Sequence, residues 1–153
     1  MFTEGFRAIA FAVGALTVAF GWFAWRTVQI PTSSPHRLVA ELRLAQAAAL
    51  LLAMTAGAYI GLVAMNEARV GAGLDVAASI GFFVIAAIAP TRDPREALTI
   101  LAAAFAGHAV VDVLHRPGGL PPGLAPRWYI VGCGIVDVTW GALCYLPVLI
   151  ARK

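Results

Sequence analysis

Apolar residues run through this chain in long blocks, without the strict alternation of a half-buried strand or the narrow stripe of a soluble surface helix. Five blocks stand out, at about 6–28, 42–65, 74–89, 97–114 and 128–150. Most reach or approach the ~20 apolar residues that a helix needs to cross the hydrocarbon core of a bilayer. The first is too long for the core of a signal peptide. Trp22, Trp25 and Arg26 end it where a small-residue cleavage site would stand, so it reads as a retained helix. The block at 74–89 is the shortest and stops at Pro90, which predicts a helix of little tilt or one that begins inside the interface.

The segments between the blocks are polar or rich in turn formers. Ile30 to Pro35 carries prolines at 31 and 35 around a Thr-Ser-Ser run and reads as a loop. Asn66, Glu67, Arg69, Gly71 and Gly73 separate the second block from the third, and Thr91 to Glu96 forms a charged turn. His115 to Arg127 holds four prolines and three glycines and reads as irregular. The expected fold is all-α, a polytopic membrane protein in which residues 1–153 form a single bundle of five transmembrane helices.

Composition strengthens this picture. Of 153 residues, 61% are hydrophobic and 12% charged, against roughly 45–50% and about 25% in soluble domains. Five spans leave only short connections, which excludes a separate soluble domain and a nucleic-acid-binding module. A transmembrane barrel would show alternating strands instead. The net charge of +3 comes from ten arginines and Lys153. Because Lys153 lies outside every span, a retinal Schiff base inside the membrane is excluded.

The basic residues also predict an orientation. Arg26, Arg37, Arg43, Arg92, Arg95, Arg152 and Lys153 fall on one side, and Arg7, Arg69, Arg116 and Arg127 on the other. The richer side is expected to be cytoplasmic, with the N-terminus outside and the C-terminus inside. The Ala- and Arg-rich, Lys-poor composition suggests the inner membrane of a bacterium. Gly57 and Gly61 form a G-x-x-x-G pair in the second block, and Ala77/Gly81 and Ala103/Gly107 repeat small-xxx-small, a pattern of close helix packing. Cys133 and Cys144 are three turns apart in one block, too far for an intrahelical disulfide, and read as packing residues.

Candidate chemistry lies in the ionisable residues inside the apolar blocks, where burial is costly. His108, Asp112 and His115 are spaced i, i+4, i+7 and share one helical face. Asp137 shares a face of the last block with Cys133, Gly141 and Cys144. His108 lies roughly 10 Å below one interface and Asp137 roughly 14 Å down the next helix, at 1.5 Å per residue, so the two are expected to meet. Asn66, Glu67 and Asp75 lie on the same predicted outer side, which leaves the opposite half comparatively bare. His115, beside Arg116 and the proline-rich loop, is expected at the interface, and Glu67 and Asp75 are expected to be solvated. His36 falls in a loop at the other end.

Three readings follow from this cluster. His108, Asp137 and Asp112 suit acid–base catalysis on a small lipophilic molecule. His108, Asp112, His115, Asp137 and Glu67 suit a divalent metal ion, and Met65 and Cys133 nearby in sequence admit copper. The same groups could relay protons or ions across the outer half. Against these stands a purely structural pairing in a non-catalytic subunit, whose partners are the bilayer and another membrane protein. There is no phosphate-binding loop, C-x-x-C pair or G-x-S-x-G elbow.

Overall fold

The computed structural model describes residues 4–65, 72–117, 119–120 and 123–151. Among these residues the chain is all-helical: α1 Glu4–Gln29, α2 Pro35–Met65, α3 Ala72–Ile88, α4 Pro94–Leu114 and α5 Arg127–Ile150, with a short 3-10 turn at Ala89–Thr91. All five are long and apolar enough to cross a membrane when the 3-10 turn is counted with α3. One end of the bundle carries the α1–α2 and α3–α4 connections, and the other carries α2–α3 and α4–α5.

The helices begin earlier than the apolar blocks because proline serves as a starter as well as a breaker. Pro35 opens α2 about two turns before residue 42, and Pro94 opens α4 before Ala97. At the first helical position proline's missing N–H costs no hydrogen bond, and its φ is already helical. Asp93 completes the start of α4 by accepting a hydrogen bond from the Arg95 amide at 3.0 Å. Pro31 remains in the connection, as expected.

α4 is the central helix and packs on α5, α2 and α3, whereas α1 leans on α5 and α2 and does not touch α3. α4 and α5 approach closely at Gly141, where an added Cβ would sit 3.2 Å from the Ala102 carbonyl oxygen and 3.4 Å from Phe105 Cβ. Of the glycines in the small-residue repeats, Gly57 lies under the Phe83 ring and Gly107 beside Phe82, while Gly61 and Gly81 face open space. Trp140 is fully buried, meets Phe105 edge-on at 5.8 Å and donates its indole N–H to Thr17 Oγ1 at 3.0 Å, tying α5 to α4 and α1. Most of α1 is exposed, its buried positions being Phe20, Ala24 and Thr27. In a bilayer such a face meets lipid tails, which are as apolar as the side chains themselves.

The half of the bundle expected to be bare holds a buried ion pair. With α2 extended back to Pro35, Arg37 and Glu41 become helical neighbours at i and i+4, and both are buried. Arg37 Nε donates to Glu41 Oε1 at 2.6 Å. Its Nη1 donates to the Thr27 and Ile30 carbonyls at 2.7 and 2.9 Å, and Nη2 reaches the Pro147 carbonyl at 3.3 Å. Arg95, half-exposed at the start of α4, donates from Nε to Glu41 Oε2 at 3.1 Å. One guanidinium therefore adds a charged donor to carbonyls at the C-terminal ends of α1 and α5, where the negative end of each helix dipole lies. Glu41 extends the network to α4.

Two outcomes are expected. Glu41→Ala should lower stability by about 3–5 kcal/mol, since it strands a buried guanidinium; the double variant with Arg37→Met should lose less than the sum of the single changes in a detergent–denaturant titration. Gly141→Val should cost about 1–3 kcal/mol by overpacking the α4–α5 contact, read in the same titration.

Candidate functional site

At the other end, four helices each send polar side chains into one buried group. α2 contributes Tyr59, α3 Asp75, α4 His108 and Asp112 with His115 as its C-cap, and α5 Asp137. None is more than 7% exposed. The expected meeting of His108 and Asp137 is found, with Nδ1 2.7 Å from Asp137 Oδ2. Asp112 Oδ2 stands 3.9 Å from the same His108 nitrogen, too far for a hydrogen bond. Asp112 Oδ1 instead accepts a hydrogen bond from the Tyr59 hydroxyl.

His108 and Asp112 share a face of α4 as expected, but His115 follows as its C-cap with ψ 66°, and the residues separate into two groups. His108, Asp112 and Asp137 offer ligand atoms that lie within 4.8 Å of one another. His115 turns instead to α3, where its Nε2 is 3.1 Å from Asp75 Oδ1, and its Nδ1 donates to the Val111 carbonyl at 2.9 Å. The expectation that Asp75 is solvated is corrected, because its side chain is buried against α4 and His115. Glu67 and Asn66 lie outside the described residues. Met65 is exposed at the end of α2, Cys133 is half-buried and Cys144 buried, both cysteines free. His36 is exposed, on the first turn of α2 rather than in the preceding loop.

Tyr59 joins the two groups, and the sequence reading does not include it. Its ring stacks on His115 with centroids 5.0 Å apart and meets His108 edge-on at 5.4 Å. A signal is present along the chain: Tyr59 lies six residues before the end of α2, close to the depth of His108 before the end of α4. Phe82 of α3 covers the other side of His108 at 4.9 Å.

The electrostatics of the cluster are demanding. Three ionised carboxylates beside two neutral imidazoles would amount to three negative charges among buried side chains, a costly arrangement. Among the described residues, five buried atoms have no hydrogen-bond partner: both Asp75 oxygens, Asp112 Oδ2, Asp137 Oδ1 and His115 Nε2. Buried polar atoms are nearly always paired in native proteins, so this concentration sets the group apart. His108, Asp112 and Asp137 could hold a metal ion. Even so, 2.7 Å between His108 Nδ1 and Asp137 Oδ2 is shorter than the roughly 3.0–3.4 Å between neighbouring ligands of an ion with bonds near 2.0–2.1 Å. As it stands, that contact is a proton-sharing bond.

No family model matches the chain, and no curated protein or solved structure is significantly similar to it.

Replacing Tyr59 by Phe removes the hydroxyl that satisfies Asp112 and leaves a buried carboxylate oxygen unpaired. A loss of about 1–3 kcal/mol is expected, measured by denaturation in detergent, with the helix content of the folded state unchanged by circular dichroism.

Proposed function

We propose that this is a bacterial inner-membrane protein, oriented with its N-terminus outside, which carries out acid–base chemistry on a small lipophilic molecule in the outer half of the bundle. The observation that carries this reading is the buried His108–Asp137 hydrogen bond beside carboxylate oxygens with unused acceptor capacity. An imidazole held by a carboxylate can take up and release a proton at a fixed position. Asp137 orients the ring and balances its charge when protonated, while Asp112, held by Tyr59, offers a second carboxylate beside the same ring.

The route of entry follows from the packing. The cluster is closed, so a substrate must push a pair of helices apart to reach it. α3 packs lightly on α4 and does not touch α5, and its Phe82 ring covers His108. A lipid-soluble molecule would enter from the bilayer beside α3, displacing Phe82. Isoprenoid or quinone-like compounds have the size and polarity such a route admits.

A purified sample in deuterated buffer tests the chemistry. A co-purifying lipophilic molecule, identified by mass spectrometry, is expected to gain deuterium in the wild-type protein and not in Asp137→Asn or His108→Gln, both of which should still fold. Unchanged deuterium uptake in both variants, or no bound molecule at all, sinks the reading.

The alternative is a structural lock in a non-catalytic subunit of a larger complex. It draws on the closure of the cluster, whose bonds join α2 to α4 and α4 to α5. Under it, Asp137→Asn is tolerated, whereas Asp137→Leu should lower stability by about 1–3 kcal/mol by leaving His108 unpaired.

A further inference from the structure

Asp75 and His115 face each other in a way that a hydrogen bond does not account for. The His115 Nδ1 contact is with the Val111 carbonyl, which can only accept, so Nδ1 carries the proton. In the neutral ring Nε2 is then a bare lone pair. It points to within 3.1 Å of Asp75 Oδ1, itself an acceptor when ionised. Two acceptors at that distance repel unless a cation stands between them. A proton would form a hydrogen bond along the line of the two atoms, as at His108–Asp137. Here the atoms are at the right distance but off that line, and neither has a hydrogen-bond partner.

The arrangement has the features of a metal ligand pair. A separation of 3.1 Å falls within the roughly 3.0–3.4 Å between adjacent ligands of an ion with bonds near 2.0–2.1 Å. A backbone carbonyl on the far ring nitrogen is the usual device that fixes a ligating histidine's tautomer and aims its lone pair. Stacking on Tyr59 at 5.0 Å fixes the plane of the ring. Asp75 Oδ2 is also buried without a partner, so the carboxylate has both oxygens to give.

We propose that Asp75 and His115 form a binding site for a divalent transition-metal ion between α3 and α4, separate from the His108–Asp137 pair. Imidazole with carboxylate favours ions such as zinc, cobalt or manganese over calcium or magnesium. The ion neutralises Asp75 and cross-links α3, the most lightly held wall of the cluster, to the central helix.

The test is titration of the detergent-solubilised protein with Co2+, followed by its visible absorption, together with thermal unfolding. The wild type is expected to bind about one Co2+ at this site, with its melting temperature rising with ion concentration. Asp75→Asn and His115→Gln should each weaken binding at least about tenfold, and His108→Gln should not. His115→Cys keeps a ligand at the position and should restore binding with a new thiolate-to-cobalt charge-transfer band, which distinguishes lost ligation from lost folding. Absence of binding by the wild type overturns the proposal. So does binding that survives both Asp75→Asn and His115→Gln, or that His108→Gln abolishes, which would place the ion at the other group. Deuterium exchange at His108 and Asp137 is read without added metal, so a failure of Co2+ binding at Asp75 and His115 leaves that reading standing.

Discussion

Inside a bilayer no water is at hand to solvate a stray charge, so an ionisable side chain drawn into the apolar interior must find its partner on the protein itself. The fold depends on how this constraint is met at each end of the bundle. At one end Arg37 meets it with four acceptors, three of them backbone carbonyls at or near the ends of α1 and α5. Arginine suits this place because its planar guanidinium presents several donors in fixed directions and stays charged. Glu41 balances the charge and connects it to Arg95 on α4. The ends of four helices are thereby held together.

The opposite end meets the same constraint incompletely, and the shortfall is informative. Each guanidinium nitrogen of Arg37 has an acceptor, whereas the His/Asp group has more acceptors than donors. Tyr59 serves Asp112 and the His108 ring serves Asp137, yet five polar atoms remain over. Each hydrogen bond left open in a buried group costs free energy. Placing two of the six residues on the central helix α4 and a third at its C-cap lets one element address α2, α3 and α5 together.

Much of this is legible along the chain. The apolar blocks are long enough that only helices satisfy their backbone groups in a bilayer, so five helices and a single bundle follow from length and hydropathy. The face shared by His108 and Asp112 follows from the helical repeat, and the meeting of His108 with Asp137 from counting residues inward from each helix end. The helix starts are less legible, since the polar first turns of a helix resemble the loop before it. Pro35 to Glu41 is polar enough to read as loop, which hides the buried pairing of Arg37 with Glu41. Asp75 and His115 each lie near the end of an apolar block, where hydropathy alone points to the interface.

The sequence by itself therefore determined the class, the number of helices and the face of each that carries polar groups, because these depend on local periodicity and on transfer from water. The tertiary structure alone decided which helices are neighbours, and hence that His115 pairs with Asp75 of α3, that Tyr59 of α2 reaches Asp112, and that Arg37 spans α1 and α5. Apolar helices in lipid carry little hydrophobic preference for one partner over another. Their arrangement is set by close packing at points such as Gly141 and by which buried polar groups can satisfy one another, and neither is written in the local pattern.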